Sequence, residues 1–279
     1  MQANNLECNK PIGVFDSGVG GLSVVKELFR QLPGEEIIYF GDTARFPYGT
    51  RSAERVRAMA LQDANFLLGF DVKMLLVACN TASSVAMEYL HENISVPIIG
   101  VVRPGAKAAA AATRVRKVGI IGTRATITSG SYQAALHDFD SRIASFGAPC
   151  PLFVSLAEEG WTGGEIAEMI AGTYLAGLKA AEIDALILGC THFPLLRGVI
   201  GKVMGDGVAL IDSAESTVHD VGEFLEKEGL LRTEPIANHK FMVSDAPERF
   251  KEIGDMFIEE KIDRVIKAVS YTHLTLPTN

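Results

Sequence analysis

Cys79 and Cys190 stand in matched surroundings, Leu75-Leu76-Val77-Ala78-Cys79-Asn80-Thr81 and Leu186-Ile187-Leu188-Gly189-Cys190-Thr191-His192. In each, an apolar run reads as a buried strand, ends in a small residue and a cysteine, and gives way to amide or hydroxyl side chains that open a helix. A thiol at such a turn faces the partial positive charge and free N–H groups of a helix N-terminus, which lower its pKa from about 8.5 toward neutrality. Two such thiols, one from each half of the chain, suit one reaction: removing a proton from one face of a carbon and returning one to the opposite face. A single base tends to return its proton to the side it came from. Asp16 and His192 could tune the pair, because a carboxylate or imidazole within hydrogen-bond reach sets ionisation and shuttles protons. The plainer alternatives are inert buried cysteines and a core histidine. Finding both cysteines in the same context favours chemistry. Cys79, Cys190 and His192 with a water would also make up a zinc centre, but no compact ligand motif accompanies them and no metal is expected.

The stretch Phe15-Asp16-Ser17-Gly18-Val19-Gly20-Gly21-Leu22 invites a nucleotide reading and fails its tests. It lacks the Lys-Ser/Thr ending of a P-loop, and no glycine three residues after Gly20 completes a dinucleotide fingerprint. A tight turn remains whose backbone N–H groups could hold a carboxylate or other small anion. Cys8 falls in an N-terminal stretch expected to be flexible, and Cys150 in a loop expected before a strand. Neither has an assignable partner. Trp161 reads as a core or interface aromatic.

Positioning these groups requires a frame. Short apolar runs at Ile12–Phe15, Ile37–Phe40, Met74–Ala78, Ile98–Val102, Val118–Ile121, Leu152–Val154, Ala185–Leu188 and Val208–Ile211 are spaced to admit one helix between neighbours, the pattern of an α/β protein with parallel sheets covered on both faces. Such sheets bind ligands at the carboxyl ends of their strands. Those ends read Asp16-Ser17, Asp42-Thr43, Cys79-Asn80-Thr81, Thr123, Cys190-Thr191-His192 and Asp212-Ser213. Each alone is explained by helix capping, but six along one edge also suggest a site. Gly100, followed by Pro104-Gly105, marks a crossing between two halves. Ser270 to Asn279 carries no periodicity and reads as a disordered or artefactual tail.

The 279 residues, 48% hydrophobic and 22% charged, are enough for one large or two ordinary domains. A net charge of -8 repels phosphate backbones and argues against nucleic acid as a main partner. Four scattered cysteines suggest neither a disulfide framework nor a zinc ribbon. No apolar stretch reaches membrane-spanning length, so no membrane partner is expected and the protein is placed in the cytoplasm.

Four motifs, taken in order, carry a resemblance: Ile12–Val24 (IGVFDSGVGGLSV), Tyr39–Gly49 (YFGDTARFPYG), Ala78–Ser83 (ACNTAS) and Gly189–Leu196 (GCTHFPLL). With them the chain resembles the glutamate racemases of the cofactor-independent aspartate/glutamate racemase superfamily, over Ile12 to Lys267. The resemblance implies two similar α/β domains with mostly parallel sheets and an active site in the cleft between them. Residues 1–100 and 214–269 would form the first, discontinuous domain and 101–213 the second. It implies Cys79 and Cys190 as acid/base thiols, with Asp16, His192 and either Glu158 or Glu159 as auxiliaries. Implied substrate contacts are Asp16, Ser17, Tyr48, Gly49, Asn80, Thr81, Thr191 and His192. It further implies racemisation of glutamate without pyridoxal phosphate, metal or any other cofactor, supply of D-glutamate for peptidoglycan, and a homodimer. Racemisation of aspartate or another amino acid, and an amino-acid-binding or regulatory protein on the same fold, stand as alternatives. Phe193 stands where the family often has Tyr, and Arg103 where an acidic residue is common. Neither is expected to touch the chemistry.

Overall fold

The computed structural model describes residues 6–236, 238–258, 262 and 264–268; the tail read at Ser270 to Asn279 lies outside them. Two parallel sheets carry the molecule. The first has the order β10-β9-β2-β1-β3-β4, with β1 at Ile12–Asp16, β2 at Ile37–Gly41, β3 at Met74–Val77, β4 at Ile98–Gly100, β9 at Lys240–Val243 and β10 at Val265–Lys267. The second has the order β6-β5-β7-β8, with β5 at Lys117–Gly122, β6 at Ala144–Pro149, β7 at Ala185–Gly189 and β8 at Ala209–Asp212. All neighbours in both sheets pair in parallel. The fold is therefore α/β with two parallel sheets.

Period-two patterning divides the first sheet between two cores. Ile12, Val14, Ile37, Tyr39 and Leu76 pack on one face, while Phe15, Ile38, Phe40, Leu75 and Val77 pack on the other. Burying a leucine or valine of this kind stabilises the fold by about 2 kcal/mol. The second sheet is likewise packed on both faces. The chain leaves the first sheet after β4 through the helix Val102–Ala112, whose Val102, Ala106 and Ala109 join the second sheet's core. It returns through the helix Ser213–Lys227, whose Ala214, Val218, Val221 and Leu225 lie on the first.

The structure corrects four sequence expectations. Leu152–Val154 opens a helix, Leu152–Glu158, and the strand in this region is β6. β6 is a half-exposed edge strand of weak apolarity, so its sequence carries little signal, whereas Phe153, Leu156 and Ala157 are buried at helical spacing. Cys150 accordingly precedes a helix. Cys8 is buried rather than loose, because Lys73 Nζ donates to the Cys8 carbonyl (2.8 Å), to the Leu230 carbonyl (2.8 Å) and to Glu35 Oε2 (2.5 Å). This buried ammonium ties the N-terminal segment to the turn that follows the helix Ser213–Lys227. The core half of the Trp161 reading fails too, since Trp161 is 53% exposed and belongs to no core. Among the described residues no helix is long and apolar enough to cross a membrane.

Candidate active site

Asp16, Cys79 and Cys190 stand at or just beyond the carboxyl ends of β1, β3 and β7. Ser17, Cys79, Asn80 and Thr81 from the first sheet's side meet Cys190, Thr191 and His192 from the second around one cavity of about 20 Å³. Such a space admits about one water, so the halves must separate for an amino acid to enter. A larger groove of about 580 Å³, lined by Met87, Ile99, Arg103 and Lys107 among others, contains none of these nucleophilic or acid/base groups.

Cys79 caps the helix Asn80–Val85 and accepts from Ala82 N at 3.5 Å, while its thiol donates to Ser17 Oγ at 3.6 Å. The helix-terminus argument predicts a lowered pKa. The opposite holds, because burial and then the nearby Asp16 carboxylate push the thiol up to about 12, against the backbone N–H bonds. Cys79 is therefore a thiol in this closed cleft.

Cys190 Sγ lies 3.9 Å from His192 Nδ1, and His192 Nε2 lies 3.0 Å from Glu158 Oε1. Burial alone would lower the imidazole's pKa. Its hydrogen bonds to Cys190 and Glu158 and its electrostatic interactions with both overcome that and hold it up at about 10, which favours the imidazolium at neutral pH. The same geometry separates the two glutamates the sequence left open: Glu158 orients His192, whereas Glu159 pairs with Arg249 at 3.0 Å. Glu158→Gln removes the anion that favours the imidazolium, so His192 should lose its proton at lower pH. The alkaline limb of the kcat profile should then move down by on the order of one pH unit or more. An unmoved limb in a pH–rate profile of the variant would refute this coupling.

Asp16 is fully buried behind the cavity wall, where Oδ2 accepts from Gly18 N at 2.9 Å and Oδ1 from Thr191 Oγ1 at 3.4 Å. It thereby fixes the glycine turn and reaches across to the other half. Burial raises its pKa, partly offset by the His192 charge and by these bonds. Asn80 Oδ1 accepts from Tyr132 OH at 2.6 Å, and its Nδ2 is buried without a partner among the described residues. An amide so oriented is a donor waiting for an acceptor. Thr81 shares a hydroxyl cluster with Thr123 (2.9 Å) and Thr126 (3.3 Å). Tyr48 and Gly49 line the cavity, but the Tyr48 hydroxyl turns away from it to Asp42 and Asp63. Phe46, Pro47 and Val154 also line it and were not singled out by sequence. Thr123 lines it too, and its strand-end position was the signal available. Phe193 is buried with its ring edge-on to Phe153, at 5.3 Å.

One small cavity between two parallel-sheet halves thus brings together a thiol from each, with a carboxylate–imidazole pair beside one of them. The family model described as Asp/Glu/Hydantoin racemase matches residues 12–221, and the chain belongs to that family. Within it the chain groups with the glutamate racemases. It is 51% identical to the glutamate racemase of Geobacter metallireducens over 92% of this chain and 95% of that one. A glutamate racemase isoform from Bacillus anthracis superposes with a TM-score of 0.90 at 39% identity, covering 93% of this chain and 97% of that one. The glutamate racemase of Francisella tularensis in complex with D-glutamate gives 0.89 at 39% identity, covering 94% and 98%.

Proposed function

We propose that this protein interconverts L- and D-glutamate by two-base proton transfer at the α-carbon, with Cys79 and Cys190 as the two bases and no cofactor. The observation that carries the reading is that both thiols line one small cavity from opposite halves. In the resting enzyme Cys79 carries its proton, and the His192 imidazolium beside Cys190 supplies the positive charge that a thiolate there needs. For one enantiomer the Cys190 thiolate takes the α-proton and the Cys79 thiol delivers its own to the opposite face. The product leaves the two ionisation states exchanged, ready for the reverse direction. Asn80 Nδ2 and the hydroxyls of Ser17, Thr81 and Thr191 supply hydrogen bonds for the substrate, and Asp16 holds the turn that carries Ser17.

The choice of glutamate rests on the relatives, one of which is described with D-glutamate bound. On this reading residues 1–100 with 214–269, and 101–213, act as two units that open and close. The enzyme works as a cytoplasmic homodimer and supplies D-glutamate for peptidoglycan. A panel of single enantiomers, with glutamate and aspartate foremost, decides the substrate when followed by circular dichroism in deuterated water with EDTA and no added cofactor. Glutamate should lose its optical activity fastest, and its product should carry deuterium at the α-carbon. Faster loss with aspartate would overturn the substrate, and glutamate binding without exchange would point instead to a binding protein.

A further inference from the structure

Beneath the cavity wall lies a cluster that the proton transfer does not use. Asp42 and Asp63 are fully inaccessible and Tyr48 is 1% exposed. The Tyr48 hydroxyl lies 2.5 Å from Asp42 Oδ2 and 2.7 Å from Asp63 Oδ2. A phenol has one hydrogen and can donate to only one of these oxygens. The other contact needs a hydrogen from a carboxyl group, or it becomes a repulsion between two oxygen lone pairs.

The remaining bonds assign that hydrogen. Asp42 already accepts from Arg45 Nε at 2.5 Å on Oδ2, and from Ser244 Oγ at 3.0 Å on Oδ1. The Ser244 oxygen itself accepts from Ala44 N (2.8 Å), which leaves its own hydrogen for Asp42. Asp63 accepts from Arg45 Nη2 at 2.7 Å on Oδ1, which leaves Oδ2 facing the phenol. With one carboxyl protonated, Arg45 and Asp42 balance in charge; with both ionised, the pocket keeps an uncompensated buried negative charge. We propose that Asp63 is a positioning residue: it carries a proton on Oδ2, donates it to the Tyr48 oxygen while Tyr48 donates to Asp42, and so anchors the Phe46–Gly49 segment that walls the cavity.

The titratable groups that act on Asp63 agree with this. Burial and then the Asp42 charge hold its carboxyl well above the usual range, with Asp16 adding to them and Arg45 and the Tyr48 hydrogen bond opposing. The anchored segment matters because Pro47, Tyr48 and Gly49 line the cavity. At Gly49 the backbone comes so near the second half that a Cβ would lie 2.5 Å from Thr123 Cβ. Ionising Asp63 places two carboxylates against one phenol oxygen and displaces this wall, which weakens substrate binding more than it slows proton transfer.

The kinetic part of the proposal rests on the glutamate racemase reading; the proton does not. Asp63→Asn presents an amide N–H to Tyr48 and an amide oxygen to Arg45, copying the protonated acid without its ability to ionise. The KM for glutamate should rise with alkaline pH in the unmodified enzyme and stay flat in Asp63→Asn, with kcat falling alike in both because His192 and Cys79 titrate in both. Asp63→Ala should raise KM at every pH, by about tenfold for a lost buried hydrogen bond. Infrared difference spectra between the unmodified protein and Asp63→Asn at neutral pH should show the C=O stretch of an undissociated carboxylic acid, whatever the substrate. Absence of that band overturns the proposal outright. Coincident KM profiles with the band present overturn the positioning role. Failure of racemisation with the band present would strike the functional reading and leave the proton in place.

Discussion

Cys79→Ser and Cys190→Ser are each expected to lower the rate of glutamate racemisation by about a thousandfold, the range over which a positioned acid or base contributes. Serine keeps the size of the side chain and its bond to Ser17 or proximity to His192, so the fold should survive. It lacks an ionisable group that can be a base at neutral pH. With one thiol left, a single base can still remove the α-proton from one enantiomer and return a solvent deuteron to the same face, giving exchange without inversion. Each variant should therefore exchange one enantiomer in deuterated water, and the two variants should choose opposite ones. Both preferring the same enantiomer, or either keeping full racemisation, would sink the assignment of one thiol to each face.

Much of this site was legible in the sequence for a definite physical reason. Parallel strands buried on both faces give continuous apolar runs, and the residues just after each run are forced to the ligand-binding edge. Cys79, Asn80, Cys190, Thr191 and His192 were located that way, by local pattern alone. The features that could not be read depend on how the halves close. Phe46, Pro47 and Val154 enter the cavity wall only in the folded cleft. The Tyr48 hydroxyl is turned by Asp42 and Asp63, and Asp63 lies within a helix, Ala53–Leu68, where the pattern gives it no distinction. Glu158 and Glu159 are adjacent residues at a helix end, and one bond of direction decides which meets His192. The thiol's pKa went the other way from its local expectation because desolvation is set by the whole fold, whereas the helix terminus is visible in the local sequence. The strands β9 and β10 are too short for a period to show, so nothing local announced them.

Closure itself can be tested at a single hydrogen atom. Gly20 belongs to the turn after β1, and a Cβ there would lie 2.3 Å from Thr191 Oγ1 and 2.6 Å from His192 Nδ1, both of which come from the other half. These distances are below any that real Cβ atoms adopt, and neither partner is free to yield: Thr191 is bonded to Asp16, and His192 is held by Glu158. Gly20→Ala therefore leaves each half with its own core intact and forces the halves apart at the cleft. Misplacing catalytic groups by about 1 Å costs on the order of a hundredfold in rate, and kcat/KM for glutamate should fall by about that much or more. Far-ultraviolet circular dichroism and thermal unfolding should stay close to those of the unmodified protein, because no core residue changes. Gly34→Ala is the control, since nothing lies within 4 Å of a Cβ there, and it should be silent in both measurements. Wild-type activity in Gly20→Ala would mean that catalysis runs in a more open cleft than this one. The contact between Thr191 and Asp16 would then belong to a resting state instead of the reacting one.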